Sequence, residues 1–298
     1  MTFSAELAMS VWVRLRDGAL HRAKIQSSNR LRDLEKQNGI TFLIAHHNSV
    51  QFLEMCLHAI RRHHANSRVI VADSGSALEQ YLGAKRTCLT YGAELQPHVF
   101  RHGHTTQLNT LCRSAHSDAA VFLDQDCILL APITPLLSYL DDGALLIGPR
   151  DEMWLEHPNL LDRYPQLANS RLREAPEYVH ASLMMTRPRE LLRYFGREPF
   201  RCARNDFELA PHQMEHYYGL CNNLRRTEHG SVQYLGSKHS AYGVGMYYEH
   251  EGKRIAYHNW YSGRVYKVRG KIDVVLDTDW LKKEANRFMA DYWNDCLQ

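Results

Sequence analysis

Short apolar runs alternate with helix-like segments between residues 40 and 124. Continuous runs such as Ile40–Ala45 and Ala119–Leu123 are typical of strands buried on both faces of a sheet. The intervening segments repeat their apolar residues with the period of a helix. The predicted strands are at 40–45, 68–72, 94–100 and 119–124, and the predicted helices at about 50–62, 77–90 and 104–115. This alternation predicts an α/β fold with a mixed, mainly parallel sheet and helices on both faces.

Polar clusters stand where three of the predicted strands end. They are His46-His47-Asn48, Asp73-Ser74-Gly75 and Asp124-Gln125-Asp126. In sheets of this kind, ligands bind outside the carboxyl ends of the strands. The sequence therefore predicts that the three loops converge on one site.

The pair Asp124 and Asp126 is the most informative of these features. Like charges so close together repel, and each raises the pKa of the other unless something neutralises the pair. A divalent cation does so, and carboxylate oxygens suit Mg²⁺ or Mn²⁺. A cation held there could in turn bind a diphosphate.

Beyond Pro132 the pattern is less regular, with predicted strands at 144–147 and 179–185 and a short helix at 187–195. The simplest partition is a basic helical leader at 1–38, a catalytic domain at 39–270 and a C-terminal helix within 271–298. The catalytic domain divides into halves at about 39–132 and 133–270. An apolar stripe at helical spacing over about 279–296 indicates that the last helix packs on the core.

The leader is predicted as a helix from Ala5 through Leu34, interrupted near Gly18. Its basic residues outnumber its acidic ones. Two interpretations stay open: a packing helix with one solvated face, or a contact with a membrane surface or a partner.

Composition excludes several classes of protein. The chain has 298 residues with 44% hydrophobic and 23% charged residues, which is ordinary for a globular protein. A net charge of +3 is too small to imply nucleic-acid binding by itself. The seven Cys are scattered and form no CxxC pair, which indicates reduced thiols and a cytoplasmic location. No apolar run is long enough to span a membrane, so the chain is expected to be soluble or at most peripheral.

Four blocks in this order resemble a GT-A glycosyltransferase of the family-2 type. They are ITFLIAHHN at 40–48, VIVADSGS at 69–76, the stretch 103–132 that contains LDQD, and ASLMMTRPRELLRYFG at 181–196. The resemblance covers about residues 40–200 well and the rest loosely. It implies the GT-A fold, a Rossmann-like α/β architecture, and transfer of a sugar from a nucleotide-diphosphate donor.

The resemblance also implies roles for residues at matching positions. Residues of the first turn would line the nucleotide pocket, and Asp73 would hydrogen-bond the base or ribose. Asn109 and the Gly103–His104 turn would lie near the nucleotide. Asp124 would bind the ribose or the metal, and Asp126 would be a direct metal ligand. The first-turn residues are Ala45, His46 and Asn48.

Two departures from the family pattern bear on the donor site. His46-His47 replaces the commoner small-aromatic pair, which leaves the donor nucleotide open between UDP and GDP. Gln125 is placed with the nucleotide-sugar residues by position, but as the middle residue its side chain is expected to point away.

Three later residues complete the implied site. An inverting transfer needs a carboxylate that takes the proton of the acceptor hydroxyl, and Asp206 is the first candidate, with Glu208 as the second. His258, at the end of a predicted strand, would supply a further ligand to the metal. Arg264 would bind the diphosphate as a bidentate donor.

The predicted activity is that of a hexosyl- or related transferase of EC class 2.4. It would be metal-dependent and inverting by single displacement, with a glycan or small molecule as acceptor. One alternative keeps the chemistry and takes a modified DNA base as acceptor, which a strong salt dependence of DNA binding would distinguish. Another is a non-catalytic sugar- or nucleotide-binding module. A nucleotidyltransferase is disfavoured because the first strand is not followed by a Gly-rich phosphate loop.

Overall fold

A computed structural model describes most of the chain. The described residues are 5–27, 39–150, 156–169, 178–200, 220–221, 224, 231–259, 265–268, 272–275 and 277–297.

Twelve strands are formed in the described parts of the chain. They are β1 Ile40–His46, β2 Arg68–Ser74, β3 Glu94–His98, β4 Ala119–Asp124, β5 Cys127–Leu129, β6 Ala144–Pro149, β7 Leu183–Thr186, β8 Ser231–His239, β9 Met246–His250, β10 Lys253–His258, β11 Val265–Val268 and β12 Ile272–Val275. Ten of them make one sheet in the order β3-β2-β1-β4-β7-β6-β8-β9-β10-β5, and β11 pairs with β12 separately.

Eight α-helices belong to the same described residues. They are α1 Ala5–Ser27, α2 Val50–His63, α3 Leu78–Thr90, α4 His104–Ser114, α5 Leu137–Asp141, α6 Pro158–Arg163, α7 Pro188–Phe195 and α8 Thr278–Leu297. Two short 3₁₀ turns lie at Thr134–Leu136 and Pro165–Asn169.

The first four strands in the sheet order run parallel, and β7, β9 and β5 pair antiparallel with their neighbours. Seven of the ten strands of this sheet in the described chain therefore share one direction, which confirms the mixed, mainly parallel sheet. β1 lies between β2 and β4, with Ala45 opposite both Ala72 and Asp124. The carboxyl ends of these three strands consequently meet at one edge.

Successive residues of β1 enter different cores, because side chains alternate between the faces of a sheet. Phe42 and Ile44 pack in the core beneath α2 with Phe52 and Leu53. Leu43 packs in the opposite core with Leu111 of α4. The helices predicted from the apolar period therefore cover both faces, as the fold class requires.

Helix α8 packs on the same core as α2. Leu281, Ala285, Phe288 and Tyr292 of the stripe are buried. The Phe288 ring stacks on Tyr257 of β10 with 3.7 Å between centroids.

Helix α1 lies along β3, the edge strand that contains Pro97. The predicted interruption at Gly18 is wrong, because the helix runs through this residue to Ser27. Gly18 is buried, and a Cβ there would meet Pro97 at 3.8 Å, so the missing side chain brings the helix close to the strand. None of the helices described is long and apolar enough to cross a membrane.

Candidate active site

The two carboxylates and one histidine come together at the end of β4. Asp124 is the last residue of that strand, and β5 begins three residues after it. β10 pairs antiparallel with β5 so that His258 lies opposite Cys127. The backbone N–H of Asn259 also donates to the Asp126 carbonyl at 3.1 Å. This pairing sets His258 beside Asp126.

Asp124, Asp126 and His258 each offer one ligand atom, and these atoms lie within 4.8 Å of one another. His258 Nε2 is 3.4 Å from Asp126 Oδ1 and 3.8 Å from Asp124 Oδ2. Two carboxylate oxygens and an imidazole nitrogen suit Mn²⁺ and are also compatible with Mg²⁺. The donor set therefore fits the divalent cation expected at this position.

The other ring nitrogen of His258 is occupied by protein. Its Nδ1 lies 3.0 Å from the Tyr248 hydroxyl, which in turn is 2.8 Å from Ser182 Oγ. All three side chains are buried. The contact fixes the ring orientation, and Nε2 is the nitrogen that faces the carboxylates.

A cavity of about 230 Å³ opens over these carboxylates. It is lined from all three strand-end loops and from the start of α4. The lining residues are Ala45, His46, His47, Ser74, Arg101, His102, His104, Gln107, Asp124, Gln125 and Asp126. The convergence predicted from the polar clusters is therefore present in the structure.

One wall of the cavity is the loop that contains Arg101 and His102. Ser74 Oγ accepts from the His102 N–H at 2.8 Å and donates to the His102 carbonyl at 2.9 Å. Gly75 has a φ of +59°, and a Cβ there would lie 2.6 Å from the Arg101 nitrogen. The loop is held closely against the end of β2, which places two basic side chains on the cavity.

Replacing Gly75 with Ala is expected to displace this wall. The substitution would cost about 1–3 kcal/mol of unfolding free energy through backbone strain, and the clash would move Arg101. Nucleoside diphosphate affinity, measured by calorimetry, should fall. Gly92 has a φ of +62°, and the atom nearest its added Cβ is Arg61 Nη2 at 3.9 Å, so Gly92→Ala supplies the strain without the clash. Equal nucleotide affinity in both variants would contradict the prediction that this wall of the cavity contacts the nucleotide.

Asp73 lies beneath the cavity in a buried network. Its carboxylate is fully buried and lies 3.6 Å from Nε of Arg14 in α1. The Ser76 hydroxyl donates to it, and the Ser76 N–H does so at 3.3 Å. Arg14 also donates to the Ser76 carbonyl. As a result, the leader helix is joined to the end of β2 by an ion pair.

His46 connects this network to the loop that contains Asp124 and Asp126. Its Nε2 is 3.9 Å from Asp73, and its Nδ1 is 2.5 Å from Gln125 Oε1. Burial lowers the pKa of His46, and nearby Asp73 opposes part of that effect. Gln125 Oε1 also accepts from the His47 N–H at 3.3 Å. The expectation that the Gln125 side chain points away is therefore wrong, because this side chain joins the turn after β1 to the loop that contains Asp124 and Asp126.

The structure separates the predicted site residues into two groups. Ala45, His46, His104, Asp124, Gln125 and Asp126 line the cavity. Asn48, Asp73, Gly103 and Asn109 do not line it. Their predicted contact with a nucleotide stays a prediction.

The second group has structural partners. Asn48 Oδ1 accepts from the Ala77 N–H at 3.0 Å, and Asn109 Oδ1 accepts from the Phe200 N–H at 3.1 Å. Gly103 is the residue before α4. Asp206, Glu208 and Arg264 lie outside the described residues.

Five cavity residues had no individually predicted role. His47 and Ser74 belong to the polar clusters that were predicted to converge there, whereas Arg101, His102 and Gln107 were not predicted. Gln107 donates to the Ala72 carbonyl at 2.9 Å and to the His46 carbonyl at 3.3 Å, which joins β1 and β2 at their ends. A usable signal was the basic pair Arg101-His102 directly before the helix that starts at His104. The residue types in a loop between a strand and a helix indicate that the loop lies at the edge of the sheet. They do not indicate where each side chain points.

Comparison with known proteins agrees with this geometry. A model of glycosyl transferase family 2 matches residues 41–158. This match confirms the family-2 resemblance over that segment. No curated protein matches the chain in sequence. The matched segment contains β1 to β6 and the two carboxylates, while His258 lies outside it.

Similar solved structures are glycosyltransferases of distant sequence. A mannosyltransferase from Pyrobaculum calidifontis, solved with GDP-Man and Mn²⁺, has 17% identity and a TM-score of 0.40, with 63% of this chain and 58% of that one aligned. Glucosyl-3-phosphoglycerate synthase from Mycobacterium tuberculosis, solved with Mn²⁺, UDP and phosphoglyceric acid, has 17% identity and a TM-score of 0.43, with 68% and 70% aligned. The chain thus spans less than two thirds of the mannosyltransferase.

Proposed function

We propose that the protein is a divalent-metal-dependent glycosyltransferase that moves a sugar from a nucleotide-diphosphate donor to an acceptor hydroxyl. The observation that carries the proposal is the cluster of Asp124, Asp126 and His258, whose two carboxylates line a cavity on the carboxyl edge of the sheet. The family-2 match over residues 41–158 supports the same chemistry.

Asp124, Asp126 and His258 would hold the cation. When bound, Mn²⁺ or Mg²⁺ would stabilise the negative charge that grows on the leaving diphosphate. Arg101, whose guanidinium is always charged, lines the same cavity and would donate to phosphate oxygens.

The histidines around the cavity would donate hydrogen bonds from their ring N–H groups to the bound ligand. His104 Nε2 lies 3.8 Å from Asp124 Oδ1, so its ring lies beside that carboxylate in the same cavity. Gln125, held by His46 and His47, would keep the two carboxylates oriented. The cavity is therefore suited to a polyanionic ligand with a cation, in keeping with a nucleotide-diphosphate sugar.

The proton of the acceptor hydroxyl would pass to a carboxylate. Asp206 is the proposed base, with Glu208 as the alternative, on the strength of the family resemblance. Arg264 is a proposed further diphosphate contact on the same grounds. UDP and GDP are the proposed donor nucleotides, and the acceptor would be a glycan or a small molecule.

The deciding experiment is a thermal-unfolding screen of nucleoside diphosphates with and without Mn²⁺. A ligand that binds only the native state raises the midpoint, because it stabilises the fold by RT ln(1 + [L]/Kd). We expect UDP or GDP with Mn²⁺ to raise the midpoint more than the sum of the two separate effects. The corresponding nucleoside without phosphates is the control. An identical response to the nucleoside and the diphosphate, independent of Mn²⁺, would contradict the proposed function.

A further inference from the structure

Helix α1 has its largest apolar side chains on the outside of the protein, while Val13 is buried. Five large ones are between 46% and 63% exposed: Leu7, Met9, Trp12, Leu15 and Leu20. Each residue turns a helix by about 100°, which places Met9, Trp12, Leu15 and Leu20 on one outward face. A helix of a water-soluble protein normally has its apolar stripe on the core side. Helix α1 has the reverse arrangement.

Apart from the buried Val13, the inward face of α1 is polar, and its charged side chains are paired. Arg14 is 2% exposed and pairs with Asp73. Asp17 accepts from the Tyr81 hydroxyl at 3.0 Å and from Lys85 Nζ at 2.6 Å, both in α3. Rotating the helix to bury its apolar face would leave these charges unpaired, which is costly. The apolar face is consequently held outward.

Two basic side chains belong to the outward face, Arg16 within it and Arg22 at its border. Arg16 and Arg22 are exposed, and the Arg16 guanidinium lies 5.0 Å from the centroid of the Trp12 ring. Arg16 also contacts the Asp17 carboxylate at 3.0 Å, which Lys85 shares. Glu6, in the first turn, is the acidic residue exposed on the helix. The exposed charge on and beside the outward face of α1 is therefore net positive.

We propose that α1 docks the protein on the surface of an anionic phospholipid bilayer. Leu15, Leu20 and Met9 would enter the headgroup–acyl boundary, with Trp12 at the interface. Arg16 and Arg22 would contact the anionic headgroups. The helix lies on the membrane and does not cross it, because none of the described helices is long and apolar enough to do so.

Charge decides between a bilayer and a second copy of the chain. A two-fold contact through this face would bring the same basic border of both copies together, because an isologous interface pairs identical patches. Like charges would then oppose each other, because the exposed arginines outnumber Glu6 and the Asp17 carboxylate is already shared with Lys85. An anionic surface supplies the complementary charge to every arginine at once.

The test is co-sedimentation of the full chain with vesicles of phosphatidylcholine, with and without 30 mol-% phosphatidylglycerol, a fraction of about one third chosen to give a negative surface potential. We expect binding to the anionic vesicles and a blue shift of Trp emission. The double substitution Trp12→Ser with Leu15→Ser should lower the partition coefficient by at least about tenfold. Arg22→Gln should lower it by about fivefold, the effect of one charge.

A matched control is Leu89→Ser, because Leu89 is 72% exposed and lies on α3 instead of α1. It should sediment like the unchanged protein. Equal sedimentation of the unchanged protein and the Trp12/Leu15 variant would overturn the proposal. So would a dimer, seen by light scattering, that the double substitution dissociates while neither protein binds vesicles. Circular dichroism confirms that each variant is folded before it is scored.

A separate observation concerns the histidine of the metal cluster. We infer that Tyr248 is a positioning residue for His258, an inference that rests on the proposed metal-dependent function. The Tyr248 hydroxyl lies between His258 Nδ1 at 3.0 Å and Ser182 Oγ at 2.8 Å, with all three groups buried. Outer partners of this kind fix the tautomer and the orientation of a ligating imidazole.

Mn²⁺ affinity measured by electron paramagnetic resonance tests this role. Tyr248→Phe should weaken Mn²⁺ binding by about 10–100-fold and reduce the ¹⁴N modulation from the imidazole in pulsed spectra. Tyr247→Phe is the control, because the Tyr247 ring packs against Tyr257 and Arg254 instead. Unchanged affinity in Tyr248→Phe, with binding by the unchanged protein, overturns only the positioning role. If the unchanged protein binds no Mn²⁺, both the role and the metal-dependent function fall.

Discussion

Replacing Asp126 with Asn is expected to abolish tight Mn²⁺ binding and to lower sugar transfer by about 10²–10³-fold. The substitution removes one of the two carboxylates that face His258 Nε2, at 3.4 Å from it. An amide oxygen carries no net charge, so the site would lose much of its attraction for a divalent cation. Calorimetric Mn²⁺ titration and an assay of transfer from the donor identified in the screen would measure both effects.

Stability provides the control for this variant. In EDTA, the unchanged protein holds two like charges close together, and removing one relieves their repulsion. The midpoint of thermal unfolding in EDTA should therefore hold or rise in Asp126→Asn. Asp142→Asn removes a similar charge at an exposed turn and should change neither Mn²⁺ affinity nor transfer. Full transfer by the unchanged protein after rigorous chelation would contradict the metal assignment.

The first half of the fold could be predicted from sequence because its signals are local. Each apolar run became a strand, and the periodic segment near 50–62 became the helix Val50–His63. The alternation of strands and helices then fixed the parallel pairing. The register of β10 against the three-residue strand β5 could not be predicted, because it joins segments far apart in the chain and β5 is too short to show a period.

The site was predictable to a similar extent. Asp124, Asp126 and His258 were named from sequence, and the structure places their ligand atoms within 4.8 Å of one another. The partner of Asp73 was not predicted, because Arg14 comes from a helix whose docking leaves no local signal. For helix α1 the sequence left two interpretations open, a packing helix with one solvated face or contact with a membrane surface or a partner, and its large apolar residues lie outward.

Replacing Asp73 with Ala is expected to destabilise the protein by about 3–5 kcal/mol, the usual cost of removing one partner from a buried ion pair. Arg14 would stay buried beside Ser76 without its carboxylate. The same change should weaken nucleotide binding by about 1–3 kcal/mol if Asp73 also contacts the base or ribose, since that is the range for a hydrogen bond to a charged group. Urea unfolding measures the first effect and calorimetry the second.

A double-mutant cycle with Arg14→Met distinguishes the two roles of Asp73, which are the ion pair with Arg14 and a contact with the nucleotide. If the ion pair is the main role, the double variant should be less destabilised than the sum of the single variants, because removing the second charge removes the burial penalty. Asp118→Ala, at an exposed position, should leave stability unchanged. A stable Asp73→Ala variant that has lost nucleotide affinity would instead show that the carboxylate faces the ligand. Arg14 would then have to move away from Asp73 when the donor binds, and the leader helix would be coupled to donor binding through this one contact.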